Sequence, residues 1–435
     1  MPFEIVVEDN SRIKSIKTQL EKSNNFVKPI RKESGSTIIR TNLNDIDQLT
    51  QWFPDETITK YELDDTTEKG INRFSHDILG FTTMYFQEKI PREKLDELLE
   101  HLPLKYSIYP PVLLLNNSSK RSFDNEMWSG LLTPEYYHEL LKFLGSNDNL
   151  KVVAINRPIL EQDNLLRKPY NLEIIYSMDF PEDPAALSRD DLWCQVKQNG
   201  IWQVWNPIYT MFSRGNIKEK KRILETFPDV EGNDVVDLYC GIGYFSLSYL
   251  SMGCRNLFGF ELNPWSIEAF KRGLKCNKNF GRSITRTGEP NGVHIYNENN
   301  EMSDQRLTEF CAKQNIDNNS NEKLRIRHIN MGLLPSSEQG YPVSIELLSH
   351  HHNWEECPTV TLHVHENASI EEINENIIQD RVVSKLSHIS QIEKKLNYTF
   401  ELIHLEKIKT FAPDVWHICL DIDVINANTN QNNIL

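Results

Sequence analysis

Beyond residue 230 the chain alternates short apolar runs with longer stretches whose apolar residues recur at helical spacing. Val235-Val236, Leu257 to Phe260, Val293 to Tyr296, Leu324 to Ile329 and Val360 to His365 read as strands. A helix follows Gly243, and others are predicted over Ser266 to Asn279, Asp304 to Gln314 and Ile370 to about Leu396, the last with apolar residues at 370, 373, 377, 378 and 382. Two more strands, Phe400 to Ile408 and Trp416 to Val424, are joined through Phe411-Ala412-Pro413-Asp414 without a helix, so they should close as an antiparallel hairpin. The expected fold is α/β: a mostly parallel Rossmann-like sheet that ends in one antiparallel hairpin. Asp317 to Asn321 reads as a low-complexity loop, and residues 426–435, rich in Asn and Gln, as a disordered tail.

Before residue 200 the pattern is less regular. Phe3 to Val7 alternates, Ser11 to Lys22 is a basic helix candidate, and Thr37 to Arg40 a strand. Arg92 to His101 and Pro134 to Leu144 read as helices, with an apolar run at Val112 to Leu115 and a strand at Val152 to Ile159. No fold follows for residues 1–150. Pro169 and Pro181 to Pro184 punctuate the way to the sheet, which divides the chain into a smaller α+β region, 1–190, and a sheet domain, 200–425. The first is expected to dock a large substrate, with scaffolding or oligomer contact as the alternative.

Length and charge narrow the picture. The chain has 435 residues, enough for two or three domains with their own cores. A formal net charge of −15 opposes nucleic-acid binding through the whole surface but leaves room for a local basic face. One cluster is Lys218, Lys220, Lys221 and Arg222; the other is Lys271, Arg272, Lys275, Lys278, Arg282 and Arg286, where 271, 275 and 278 share a helical face. Met1 to Asn10 carries acids and no apolar stretch approaches spanning length, so a cytoplasmic protein without membrane attachment is expected. The seven cysteines form no Cys-x-x-Cys pair, which predicts reduced thiols. His350 to His352 is read as a polar loop: adjacent side chains do not converge easily on one ion, and no Cys or carboxylate sits at ligand spacing, so no metal is expected.

The chemistry concentrates where the first apolar run breaks. Asp237 is followed by Gly241 and Gly243 and a helix, and the next strand ends on Glu261. Glycines let the backbone approach a ligand closely, and a carboxylate at the next strand end can accept both ribose hydroxyls. Any strand–turn–helix shares the first feature; the carboxylate adds the nucleotide. A dinucleotide site needs a third glycine where this chain has Ser246, so a nicotinamide cofactor is disfavoured.

Asp237 before the glycines, together with the closing hairpin, resembles the class I S-adenosylmethionine-dependent transferases. Four ordered motifs narrow the resemblance: Met211-Phe212-Ser213-Arg214-Gly215-Asn216 leading to Glu219-Lys220, Asp237 to Phe245, Glu261-Leu262-Asn263-Pro264-Trp265-Ser266, and Gly332 to Ser337. Over about residues 200–425 these resemble the tRNA wybutosine-synthesizing protein 2 family.

The resemblance implies transfer of the 3-amino-3-carboxypropyl group of S-adenosylmethionine to a ring carbon of 4-demethylwyosine at position 37 of phenylalanine tRNA, with methylthioadenosine released. It implies the anticodon loop as partner surface and S-adenosylmethionine as co-substrate, with no metal. By the same carry-over Ser213 and Lys220 contact the co-substrate, Lys220 at its carboxylate, and Glu261 holds the ribose. Asp237, Gly241 and Gly243 bind the co-substrate at the turn, and Glu298-Asn299-Asn300 stands where the family shows Gly-Asp-Asn, which sets Asn299 toward adenine and makes Asn300 a further co-substrate contact. Related guanosine-37 N1 methyltransferases carry Asn-Leu-Pro and Ser-Pro-Arg-Leu where this chain has Gly332 to Ser336 and Ser213 to Asn216, so methyl transfer is the alternative; a catalytically silent tRNA scaffold is another. Lys271, Arg272 and Lys275 are candidates for phosphate contact, and Trp205, Tyr209 and Trp265 for base stacking or core. His363 and His365 alternate on a strand, open between core and catalysis, and no general base is assigned.

Overall fold

The computed structural model describes residues 3–428 apart from 24, 34–35, 44, 61–74, 119, 146–148, 157–165, 170–171, 279–291 and 315–322. Arg282, Arg286, the 317–321 loop, the end of the strand expected over 152–159, and 429–435 of the expected tail therefore lie outside the described residues. Residues 1–75 and 76–435 form two compact units. Residues 76–190, grouped with the N-terminus by the sequence pattern, thus share a unit with the large sheet.

The first unit is a small α+β body. Phe3–Val7 is the inner strand of an antiparallel sheet with Ser36–Thr41 and Thr57–Lys60 on its flanks and Phe26–Glu33 beyond. Its alternation sends Phe3, Ile5 and Val7 inward against Ile16 and Leu20 of the helix Ile13–Lys22 and Leu49 of Ile46–Trp52.

In the second unit seven strands form one sheet: β1 (Asp234–Asp237), β2 (Asn256–Phe260), β3 (Gly292–Tyr296), β4 (Ile326–Met331), β5 (Thr359–Ser369), β6 (Tyr398–Ala412) and β7 (Val415–Asn426). They run in the order β3-β2-β1-β4-β5-β7-β6. All neighbours are parallel through β5, and β7 is antiparallel to both β5 and β6. The expected hairpin therefore inserts its second strand next to β5. Helices α1 (Ile217–Thr226), α2 (Ser246–Ser251), α3 (Pro264–Cys276), α4 (Ser303–Lys313), α5 (Gly340–His351), α6 (Ile370–Asn374) and α7 (Ile377–His388) connect and cover the strands. Every residue of the central strands β1 and β4 is buried, including the polar Asp234, Asp237, Arg327, His328 and Asn330, each of which finds a hydrogen-bond partner. Each fully buried Val, Leu or Ile contributes about 1.5–3 kcal/mol of transfer free energy.

Two departures from the sequence pattern have physical causes. Helix α5 is absent from it because its buried face mixes Ser344 and His351 with Tyr341, Ile345, Leu347 and Leu348 while Pro342 and Val343 lie on the other side, which blurs amphipathic periodicity. The single helix expected over 370–396 is interrupted at Asn376, which takes φ +61. Asn tolerates the left-handed region, and Gln379 Nε2 donates to Ile373 O and to Asn376 Oδ1, satisfying groups freed by the break.

Upstream, a sheet of Tyr106–Tyr109, Val112–Asn116, Val152–Asn156 and Leu172–Ser177 packs with the hairpin Cys194–Gln198/Ile201–Trp205. This layer meets Ile242 of the glycine turn and Ala269 of α3, so it backs the site directly. The turn tolerates no side chain at 243: Gly243 has φ +80, and a Cβ there would lie 2.6 Å from the Phe270 ring of α3. Gly243→Ala is expected to cost about 1–3 kcal/mol in overpacking beyond the roughly 1 kcal/mol of left-handed strain. Gly232→Ala, with similar φ and open space, should show only the second, and chemical denaturation of the two variants separates them.

Candidate active site

The strands β1, β2 and β4 deliver their carboxyl ends to one edge, where the turn 238–245 lies. Asp237 is fully buried there. Its Oδ2 accepts from Ser246 Oγ at 2.6 Å and its Oδ1 from Asn330 Nδ2 at 3.0 Å. Burial raises its pKa, and those two donors pull against the rise. Asp237 is therefore the internal brace of the turn and has no face open to a ligand, which explains why position 246 is a serine where a third glycine was sought.

Glu261, at the end of β2, bends back to the turn. Its Oε2 accepts from Gly241 N at 3.1 Å and its Oε1 from Asn263 N at 2.7 Å. Burial raises its pKa, opposed by those backbone donors. Each oxygen keeps a lone pair for a further donor. Asn263 caps α3 through Trp265 N and donates to Leu166 O and Tyr209 O, tying three segments around the carboxylate.

At the far side of the turn Asn300 is buried and donates to Leu238 O at 3.1 Å, so it anchors backbone. Asn299 is exposed and its Oδ1 accepts from Glu301 N at 3.3 Å. On the other flank, Glu366 of β5 accepts from Ser336 Oγ, Ser337 N and Tyr341 OH, all through Oε1, and so fixes the Gly332 to Ser337 loop.

Lys220 occupies the most unusual environment. It is 3% exposed, yet among the described residues no carboxylate pairs with it. Its Nζ donates to Gln198 Oε1 at 2.8 Å and to Gln203 Oε1, and lies 5.3 Å and 5.6 Å from the Phe212 and Tyr244 ring centres. Burial, with the charge of Lys409, lowers its pKa to about 7. Ser213 stands close by, donating to Asn216 Oδ1 and accepting from Lys409 Nζ.

The structure brings Ser213, Lys220, Asp237, Gly241, Gly243, Glu261 and Asn300 to the elements around one turn, with Asn299 at the rim. Gln198, Gln203, Glu366 and Lys409 were missed. They come from the 194–205 hairpin, β5 and β6, and carry no local signal because each acts across a sequence gap.

Several readings need correction. Trp205 is 2% exposed and stacks on Phe212 at 4.0 Å, so it is core and no base platform. The 218–222 cluster is no continuous cationic surface: Lys218 and Lys221 are exposed but pair with Glu406 and Glu225, Lys220 is caged, and Arg222 is half-buried against Glu219 and Asp421. Arg272 is held by Glu268 and lies 4.0 Å over the Trp193 ring, leaving Lys271 and Lys275 exposed on α3 and Lys278 exposed just beyond its end. His363 and His365 are both buried; His363 bridges His328 and Asp421, and His365 contacts His417 at 2.9 Å. Nor is the histidine triplet a loop without partners. His350 and His351 end α5 and both meet Asp304 Oδ1, at 2.7 and 2.8 Å, because α4 supplies the carboxylate from 46 residues away.

The strand order and the braced glycine turn with its strand-end carboxylate define the fold of a class I S-adenosylmethionine-dependent transferase. The TRM5/TYW2 methyltransferase domain family matches residues 195–304. The chain is 41% identical to tRNA wybutosine-synthesizing protein 2 of Saccharomyces cerevisiae, with 98% of each chain aligned. It is 30% identical to the protein of that name from Schizosaccharomyces pombe, over 85% of this chain and 82% of the relative. The chain belongs to the tRNA wybutosine-synthesizing protein 2 family. Among solved structures it is similar to P. horikoshii TYW2 in complex with MeSAdo, with a TM-score of 0.52 at 20% identity over 80% of this chain and all of that one. Trm5b from Pyrococcus abyssi aligns over 98% of this chain and all of its own with a TM-score of 0.50 at 15% identity.

The line from His363 through Asp421 and Arg222 to Glu219 fastens α1, and hence Lys220, to the hairpin. Burial alone would raise the Asp421 pKa; His363 and Arg222 bring it well below the usual carboxylate range. Asp421→Asn should cost about 3 kcal/mol at neutral pH by leaving Arg222 under-compensated. The depressed carboxylate contributes stability above its unfolded pKa and loses it as pH falls, so the gap between wild type and variant should shrink below about pH 4 in urea titrations.

Proposed function

We propose that this protein transfers the 3-amino-3-carboxypropyl group of S-adenosylmethionine to the C7 carbon of 4-demethylwyosine at position 37 of phenylalanine tRNA, releasing methylthioadenosine. The observation that carries the reading is the Lys220 cage, a buried cation with no carboxylate partner among the described residues, beside the glycine turn, which suits an amino acid carboxylate. Family membership supports tRNA as the substrate. When bound, S-adenosylmethionine supplies a sulfonium whose γ-carbon is attacked by the acceptor carbon, the C–S electron pair staying on sulfur while the ring carbon later loses its proton.

The chain's own residues fit that co-substrate. Glu261 is assigned to the ribose hydroxyls, since both its oxygens retain acceptor capacity after Gly241 and Asn263 are served. Asn299 is assigned to adenine, its amide on the exposed rim. Gly241 and Gly243 leave the backbone bare, and Ser213 and Lys220 take the amino acid end. Orientation decides the product: with the carboxylate held at one end and the ribose at the other, the γ-carbon is the electrophile set toward the acceptor. For the RNA we assign the half-buried stack of Tyr209 on Trp265, 4.1 Å between ring centres, to base contact, and Lys271, Lys275 and Lys278 to phosphates. The α+β region before residue 190 is assigned to docking the rest of the tRNA.

The direct test incubates the protein with phenylalanine tRNA bearing 4-demethylwyosine and S-adenosylmethionine, then digests the RNA and weighs the nucleoside. An aminocarboxypropyl increment is expected; a methyl increment alone would overturn the reading in favour of guanosine-37-type methylation. A second test uses the Lys220 pKa near 7. An anion bound beside it favours the charged form, so affinity for S-adenosylmethionine should be highest below pH 7 and fall by up to about tenfold per unit as pH rises. The ligand's own amino group titrates near pH 8. Lys220→Met retains that ligand-borne part alone, and calorimetry of both proteins across pH isolates the lysine.

A further inference from the structure

We infer that Lys409 is the second cation of the carboxylate subsite, reaching from the closing hairpin to the amino acid end of S-adenosylmethionine beside Lys220. The inference rests on the assignment of Lys220 above and adds a residue that comes from the other end of the sheet domain.

The hairpin is shaped to deliver it. Along β6, Lys407 pairs with Ile418 and Lys409 with His417, so Ile408 is an extra residue in the ladder. A bulge of this kind turns the following side chain out of its regular alternation. The bulge is clamped to α1, since Lys218 donates to Lys407 O at 2.9 Å and pairs with Glu406. Lys409 then extends across the 213–216 turn. Its stem fills the space over Gly215, where a Cβ would sit 2.5 Å from Lys409 Cδ. Glycine at 215 is what lets the lysine through. At its tip Nζ donates to Ser213 Oγ at 2.6 Å, the hydroxyl assigned to the same end of the co-substrate.

Charge points the same way. Lys409 is half-buried and, among the described residues, pairs with no carboxylate. Burial lowers its pKa, and its charge in turn lowers that of Lys220. Two ammonium groups that repel each other in partly desolvated surroundings are both stabilised by one anion between them. Each retains donors: Lys220 has given two N–H groups to Gln198 and Gln203, and Lys409 one to Ser213, which leaves one and two. A carboxylate has two oxygens to receive them. Lys220 is too deeply buried to serve an RNA phosphate, so an anion shared by both lysines is the small one. Gripping both oxygens fixes rotation of the amino acid arm as well as its distance, and that rotation sets which carbon of the sulfonium faces the acceptor.

The test measures calorimetric affinity of wild type, Lys409→Met and Lys409→Arg for S-adenosylmethionine and for methylthioadenosine, which lacks the amino acid arm. The methionine variant should bind S-adenosylmethionine about tenfold or more weakly, a change typical of a lost charge-assisted contact, and methylthioadenosine within about twofold of wild type. Arginine should restore part of the loss. Unchanged affinity for S-adenosylmethionine, or equal weakening of both ligands through a distorted 213–216 turn, would overturn the role, as would an effect confined to the KM for tRNA. Wild type that binds neither ligand would instead sink the pocket reading itself.

Discussion

The Asp237 carboxylate, sealed at the end of the central strand, takes donors from Ser246 on one side and Asn330 on the other. A buried carboxylate is tolerable only when so satisfied, and satisfying it fixes three things at once. It sets where α2 begins, how β4 ends beside β1, and therefore where Gly241 and Gly243 lie. Its charge also raises the pKa of Glu261, so the two acids flank the turn with one serving the protein and the other left to a ligand. Remove the brace, and the turn has no reason to meet Glu261 through Gly241 N.

The site is completed from outside the glycine motif by elements that close the chain. The 194–205 hairpin supplies the two amide oxygens on Lys220, and the C-terminal hairpin supplies Arg222's partner Asp421 as well as Lys409. α1 lies between these hairpins and is held by both, so its buried lysine is positioned from two sides. The His328, His363 and Asp421 chain inside the sheet serves that same attachment: the two histidines meet each other, and His363 meets the carboxylate.

Much of the sheet was legible because its periodicities are strong. β1 to β5 and the hairpin follow from apolar runs bounded by turns, and α3 from Asn263-Pro264 at its start. What was hidden shares one cause: the deciding contact lies across a large gap in sequence. α5 carries polar residues within its buried face and apolar ones outside it, and the partners of His350 and His351 come from α4. Trp205 and Arg222 looked like surface chemistry by composition and are interior by packing. The glycine turn and Glu261 announced a nucleotide, whereas Gln198, Gln203 and Lys409, which gather on Lys220 and Ser213, are ordinary polar residues until folded together.

The neutral cage of Lys220 has a consequence for the order of events after transfer. Gln198 and Gln203 hold the ammonium without supplying an opposing charge, so its protonated form stays available to a carboxylate. Transfer moves that carboxylate from the sulfonium to the RNA. On the site assignments proposed above, methylthioadenosine is then left with the ribose and adenine contacts alone, while the modified nucleotide inherits the grip of the lysine. The nucleoside by-product becomes the loosely held product and the tRNA the tightly held one, so the same charge that recruits the small molecule would set the pace at which the large one departs.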